Sequence, residues 1–584
     1  MGPDEPDSDM RHEAMTIRRG LCLQSTLLTP FAVVAPSSEQ TQRNVTFHQH
    51  VSLPTCSLPI QEPPSHSLVS SLLRPPSIIP STWPYGTMSR HRRDLYTLEG
   101  GVQLDDETDY LTLSHPLNLP TRSITDLTPY ADQAFEVLIR SIRDDSFFSM
   151  NRFDVLHVLK RAFQKELDYL KSAYAAACPD PLDLRSSSPS ELLFHERIPE
   201  VDRTLTGILA LRWLRNNDYD SFTQNQVATF KLSRRSFREL RSFFDAGLDR
   251  YTNHEAIFTL IVMQMTNDLG KSSQLADQLR SRLPYGTSPS TNHDMVMEQV
   301  LQHCDLLIPS IQRLPRRQRA LVRRLVRLSA DFNPGSLVQA ECMPAALEVL
   351  QELQIDPLEL DMKFMELLLD VGGARGHVDH EGAATMTEPT FQGYMEARLQ
   401  SLNVVEGHLQ PEQAYERILQ HRLRTLADAG YKGDFDTTSP KVSAKARLFC
   451  MGRIADATTA ELYDDVYEKL PPYIQDRLER GLSLHARPAV QPTYMPAMLA
   501  WVRGPNQALR EEQLAALLTY LSRVLDVNEG SLPQDVEIVE RDVKGTLEDL
   551  IQSDAFRENP FSIVNDNTEL PVTEITKRAV ALGL

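Results

Sequence analysis

The sequence lacks the features that would place it in several common classes. Its six cysteines, Cys22, Cys56, Cys178, Cys304, Cys342 and Cys450, lie far apart and form no CxxC pair. That spacing argues against a disulfide framework and against a structural zinc site. No apolar run approaches the roughly 20 residues that cross a bilayer. No glycine-rich loop joins a strand pattern to a helix pattern, which removes the P-loop and dinucleotide-binding readings. No repeat of 20–50 residues marks a solenoid. Positive charge is short as well: the formal net charge is −19, so a polyanion could be held only by a local basic patch. What remains is ordinary globular composition, 41% hydrophobic and 24% charged over 584 residues, enough for one large domain or two ordinary ones. Sparse cysteine and the missing membrane span make the cytoplasm the expected compartment.

Residues 1–90 are expected to form a disordered leader. They are rich in Pro, Ser and Thr, with Pro54, Pro59, Pro63, Pro64, Pro75, Pro76, Pro80 and Pro84 blocking regular helix, and cannot bury enough apolar area to offset the entropy of ordering. Arg18-Arg19 before Leu21 to Val34 has the outline of a targeting segment, but Gln24, Ser25, Thr26, Thr29 and Pro30 interrupt its apolar part. Met88 offers an alternative start.

The helical domain is expected over 105–557, with 558–584 as a tail. From Tyr130 the apolar positions fall at helical spacing: Phe135, Leu138, Ile139 and Ile142 stand at i, i+3, i+4 and i+7. The same period predicts helices over 153–176, 201–216, 234–248, 255–269, 295–307, 316–329, 343–353 and 358–369. It continues over 390–401, 411–429, 458–470, 472–480, 495–502 and 510–525. Alternating strand patterns are weak, so the fold class is all-α. Breaks fall at 178–190, 284–292 and 371–390. The last, rich in Gly and His between two helices, is expected to be a mobile active-site loop.

The run Asp464-Asp465-Val466-Tyr467-Glu468 is a DDxxE motif on a helix pattern. Asp464 and Glu468 stand at i, i+4 and Asp465 and Glu468 at i, i+3, so three carboxylates are expected to converge. Such a group needs a cation among its members, or one member that keeps its proton and serves as acid or base. The cation can be a metal ion, a substrate guanidinium, or a lysine or arginine from elsewhere in the fold. The plain alternative is a solvated acidic face balanced by Lys469.

In this motif, and in size and helix content, the chain resembles the fungal arginine-containing cyclodipeptide synthases. The resemblance implies an aminoacyltransferase of secondary metabolism, with arginyl-tRNA and a second aminoacyl-tRNA as partners and a cyclo-Arg-Xaa diketopiperazine as product. It implies neither a cofactor nor a metal, and neither DNA nor a membrane as partner. Asp464 and Asp465 would anchor the substrate cation and Glu468 would act as base. Carboxylates suit an arginine pocket because they accept the guanidinium fork bidentately. An aminoacyl ester already carries the driving force for amide formation, so positioning and one general base can suffice.

Three further groups stand out. In the segment from Arg313 to Leu328, Arg316, Arg319, Arg323 and Arg327 share a helix face behind an apolar stripe. They are candidates for the phosphate backbone of tRNA, or for ion pairs with acidic neighbours. The run Lys231, Arg234, Arg235, Arg238 and Arg241 is expected to be structural. His254-Glu255, Asn267-Asp268-Leu-Gly-Lys271 and His293-Asp294 resemble an HD-type metal phosphohydrolase signature, but Asn267 stands where the metal-binding histidine belongs. A packing or substrate-binding role for Asn267, Asp268 and Lys271 follows. His377 is a secondary acid–base candidate in its loop with Asp379, His380 and Glu381, and Tyr494 is a core aromatic that could line the pocket.

The competing readings are a non-catalytic helical adaptor, a degenerate HD-type hydrolase and a class I terpene synthase. The terpene synthase is disfavoured because its second motif would place Lys271 where serine belongs, in reversed order relative to DDxxE. Its carbocation cavity would also want more than the 7% aromatic residues present.

Overall fold

Proline, expected to block helix in residues 1–90, opens helices in the body. The helices Pro199–Arg215, Pro357–Gly373, Pro411–Asp428 and Pro440–Met451 all begin on it, at the one helical position where a missing N–H costs nothing. The Pro357–Gly373 helix adds a capping box, Asp356 accepting from the Glu359 N–H while Glu359 reaches back to the Asp356 N–H.

The computed structural model describes residues 129–173, 186–250, 253–290, 292–486, 489–502, 506–526, 536–564 and 573–578. The leader, the alternative start at Met88 and the onset of the fold after Asp105 lie outside them. The chain divides into two units; one spans 34–123, outside the described residues, and the other holds every element below. Among the described residues there are 25 α-helices, so the all-α expectation holds. No helix among them is long and apolar enough to cross a membrane.

Several boundaries shift for local reasons. The helix expected over 153–176 splits at Phe163 into Arg152–Ala162 and Gln164–Lys171. The one expected over 343–353 is a 3-10 turn, Pro344–Leu347, followed by the short helix Val349–Glu352. The helix Pro440–Met451 was not expected: residues 442–444 and 446–451 are all buried, so it carries no amphipathic stripe to read. A small sheet was not expected either. It comprises β1 (Ala489–Gln491), β2 (Val536–Asp542) and β3 (Thr573–Arg578), with β1 parallel and β3 antiparallel to β2. β3 lies within the stretch read as a tail, whose backbone is tied into the sheet there.

Three helices meet at the centre: Pro199–Arg215, Asn253–Thr266 and Pro357–Gly373. Their approach depends on glycine. A Cβ on Gly373 would stand 2.2 Å from the Arg203 carbonyl oxygen and 2.6 Å from the Gly207 nitrogen. The glycines of the 371–376 stretch therefore serve contact, not mobility. The loop that follows is packed too: Asp379 and His380 are buried, His380 Nε2 lies 2.8 Å from the Ser186 carbonyl, and the Gln224 and Asn225 side chains donate to Glu381 and Asp379 at 3.1 and 3.2 Å. The expected mobile loop is part of the core.

Replacing Gly373 with alanine should lower the melting temperature, at a cost of about 1–3 kcal/mol from overpacking. Gly545→Ala, where an added Cβ meets nothing within 4 Å, should leave it unchanged or raise it, with a stability gain of up to about 1 kcal/mol from helix propensity. Thermal unfolding of both variants checks the opposite signs.

Candidate functional site

The central crossing encloses charge. Glu200 and Arg203 project from the Pro199–Arg215 helix and pair at 3.1 Å, both almost fully buried. Lys271 reaches in from the 3-10 turn Leu269–Lys271 to Glu200 at 3.1 Å and Asp268 at 2.9 Å, with 1% of its side chain exposed. That turn comes close because Gly270 has no side chain; a Cβ there would sit 2.0 Å from the His293 carbonyl oxygen. Lys363 and Glu366 pair at 2.7 Å one turn apart on the Pro357–Gly373 helix. Burial opposes the charges on Lys271, Lys363 and Asp268, but the neighbours outweigh it. Lys271 and Lys363 are held above their usual range by the carboxylates beside them, and Asp268 below its own by Lys271 and Arg203.

Beside this network lies a cleft of about 50 Å³. Asn267, Asp268, His293, Asp294, Glu366 and Asp370 face it, with Tyr394 closing one side. Its acids are poorly matched. Asp370 makes no hydrogen bond or ion pair among the described residues, and burial, then Asp268, pushes its carboxyl up to about 7. Glu366 Oε1 is buried with no hydrogen-bond partner. The nearest basic group to Asp294 is the His293 ring at 3.7 Å. Burial raises Asp294 and draws His293 down to about 4, so that imidazole is neutral. Among the described residues that line or directly back the cleft, Glu200, Asp268, Asp294, Glu366 and Asp370 face only Arg203, Lys271 and Lys363 as cations. The cleft is short of positive charge.

The sequence candidates divide around it. Asn267 and Asp268 line the cleft and Lys271 braces it. His377 stands behind, within electrostatic reach of Arg203 and Glu200; burial, then Arg203, draws it down to about 4, and its Nδ1 has no partner. Tyr494 does not line the cleft. It is buried at φ 71, an uncommon backbone for an aromatic residue, and its N–H donates to Glu341. Sequence reading missed Asp370, Glu366 and Lys363 because they lie in a helix read only for its apolar stripe.

The DDxxE residues lie elsewhere and do not converge as a trio. On the Ala457–Lys469 helix, Asp464 and Glu468 both take Lys445, at 2.5 and 2.6 Å, and Glu468 also takes Lys441 at 2.7 Å. Tyr431 Oη donates to Asp464 at 2.8 Å. Asp465 is exposed on the other side. The reason is the unexpected Pro440–Met451 helix, which supplies both lysines. Glu468, Lys441, Lys445 and Tyr431 border a separate cavity of about 230 Å³.

The arginine helix, Arg316–Asp331, is half committed. Arg319 donates to the Gln312 and Leu314 carbonyls at 2.7 and 3.3 Å, and Arg323 pairs with Asp305. Arg316, Arg317 and Arg327 are exposed. The opposite face of the helix lines the cleft region through Val322, Leu325, Val326 and Ser329. No group of three or more His, Cys, Asp or Glu among the described residues is placed to hold a metal ion.

Residues 156–563, a span that includes both the cleft and the DDxxE helix, match the model of a family of unknown function, DUF6829. The chain belongs to this family. No curated protein matches it, and no solved structure does. For this DUF6829 member the chemistry must be argued from the side chains.

Asp370 offers a direct check of the cleft. A carboxyl whose folded pKa, about 7, exceeds its ordinary 3.8 binds more protons folded than unfolded between those values, so its contribution to stability is lost as pH rises through that window. Asp370→Asn should remove that loss. Plotted as variant minus wild type, the melting temperature should climb from pH 4 to 7 and stay positive above. A flat difference would mean an ordinary, solvated carboxylate.

Proposed function

We propose that this protein is an aminoacyltransferase that builds arginine-containing cyclic dipeptides from arginyl-tRNA and a second aminoacyl-tRNA, with the buried cleft as its arginyl site. The observation that carries this reading is the excess of carboxylates over cations in that cleft. An arginyl group brings a guanidinium and an α-ammonium, two positive charges, into a place where two acids lack a cation. Asp294 and the free oxygen of Glu366 can accept the guanidinium fork.

Asp370, already near neutrality in its pKa, suits the general base that takes a proton from the α-ammonium. The freed amine attacks the ester carbonyl of the second residue. The C–N bond forms, the C–O bond to the tRNA 3′-oxygen breaks, and that oxygen leaves with a proton. A second attack of the same kind closes the ring. Asn267 and Lys363 border the cleft where a developing oxyanion would need donors. The exposed arginines Arg316, Arg317 and Arg327 lie on the back of the helix whose inner face borders the cleft region, a placement suited to the phosphates of an acceptor arm.

The DDxxE residues fit an anchoring role less well. A substrate cation at Asp464 and Glu468 would have to displace two lysines already paired with them, whereas at the cleft Asp294 and Asp370 have no lysine or arginine partner among the described residues and Glu366 keeps one oxygen unbonded beside its Lys363 pair.

Expression in a heterologous host followed by mass spectrometry of the medium should show an arginine-containing diketopiperazine. Asp370→Asn should lower it by about 100-fold or more, the usual scale for losing a general base, while Asp465→Asn should change it by no more than about twofold, as for an isolated surface site. Loss of product in Glu468→Gln with Asp370→Asn unaffected would move the chemistry to the lysine-paired helix. Soluble protein with no such product would favour the adaptor reading.

Arg316→Ala with Arg327→Ala should weaken binding of bulk tRNA and reduce the slope of log affinity against log salt by about two. Filter binding across a salt series measures both.

A further inference from the structure

A second, smaller chamber opens from the cleft. It shares Asn267, Asp294, Ser329, Lys363 and Glu366 with it, so these five residues form the doorway between the two, the Ser329 hydroxyl being committed to the Leu325 carbonyl at 2.9 Å. Beyond the doorway the walls turn apolar: Met263, Met297, Val322, Leu325 and Val326. Thr266 also lines it, but its hydroxyl donates to the Val262 carbonyl at 2.9 Å, leaving the hydroxyl committed to its own helix. The room inside is about 20 Å³, enough for one or two waters.

We infer that this chamber receives the side chain of the second aminoacyl residue and restricts it to small, uncharged, aliphatic groups. The inference rests on the reading of the cleft as the arginyl site. If the arginyl group occupies the acid-lined side, its α-amine meets the second carbonyl at the shared doorway, and the side chain on that second residue has the apolar chamber to enter. A charged or amide side chain would leave its polar atoms unpaired among methionine and aliphatic carbons. An aromatic ring exceeds the space, although the two methionines, which repack readily, let size discriminate by degrees. Val322, Leu325 and Val326 belong to the arginine helix, so the element placed to meet tRNA outside also sets the partner side chain inside.

The test is the partner composition of the diketopiperazines made in the heterologous host, read by mass spectrometry for wild type, Leu325→Ala and Val326→Ala. Val326 is only half-buried, so its variant keeps the test usable if Leu325→Ala fails to fold, which a thermal melt reveals. Wild type should pair arginine with a small aliphatic residue. Each enlarging variant should raise the ratio of larger to smaller apolar partners by about 10-fold or more, the scale of one or two methylenes in an apolar pocket. An arginine product whose wild-type partner is charged, an amide or aromatic overturns the chamber assignment and leaves the arginyl site standing. So does a partner spectrum that neither folded variant changes. Absence of any arginine diketopiperazine overturns both.

Discussion

The centre of this fold is a set of charges that cannot be removed one at a time. Lys271, Asp268, Glu200 and Arg203 are almost wholly out of water, where an unpaired ion would cost several kcal/mol. They remain ionised because each is within about one hydrogen-bond length of an opposite charge. That arrangement fixes the relative position of the Pro199–Arg215 helix, the 268–271 turn and, through the Gly373 contact, the Pro357–Gly373 helix. Apolar packing alone would allow these elements to slide by small amounts with modest penalties; the ion network has one register.

The same rigidity makes the cleft informative. A flexible site could turn unmatched acids outward to water, but here Asp370, Asp294 and Glu366 sit on helices whose positions are already decided. Their mismatch is therefore built in, and burial, then Asp268 beside it, holds the Asp370 carboxyl above its usual range. Functional sites are where perturbed carboxyls concentrate, though structural networks also perturb them. What separates the two cases here is partnership. Glu200, Arg203, Lys271 and Asp268 each stand in an ion pair, whereas Asp294 and Asp370 have no lysine or arginine partner among the described residues.

The sequence made part of this visible. Helical periodicity located Arg234–Leu248 to the residue and Arg316–Asp331 to within two at its end, because both carry a clean apolar stripe. The Asn267–Lys271 and His293–Asp294 pairs stood out by residue type, and the fold brings them together. Asp370, Glu366 and Lys363 did not stand out, since a charge that faces inward from an otherwise apolar helix looks the same in sequence as a surface one. The glycines after Val371 drew notice for the wrong reason. Their density beside the histidines suggested a mobile active-site loop, while close approach of two backbones was the actual demand, and that becomes apparent only when the opposing helix is in place.

The DDxxE run shows how one missed element redirects a functional reading. Three carboxylates on one helix pose a question about their counterion, and the answer depends on whatever packs opposite. Because residues 442–444 and 446–451 are buried all round, the Pro440–Met451 helix left no periodic trace, and Lys441 and Lys445 were absent from the accounting. With them in place, Asp464 and Glu468 are satisfied from within the chain, and their acidity no longer calls for an outside cation. Glu468 borders a cavity, and Asp464 and Glu468 keep one shared lysine between them, which makes them an ion-paired face of the fold. The demand for a cation passes to the cleft, where the carboxylates outnumber anything the described chain supplies.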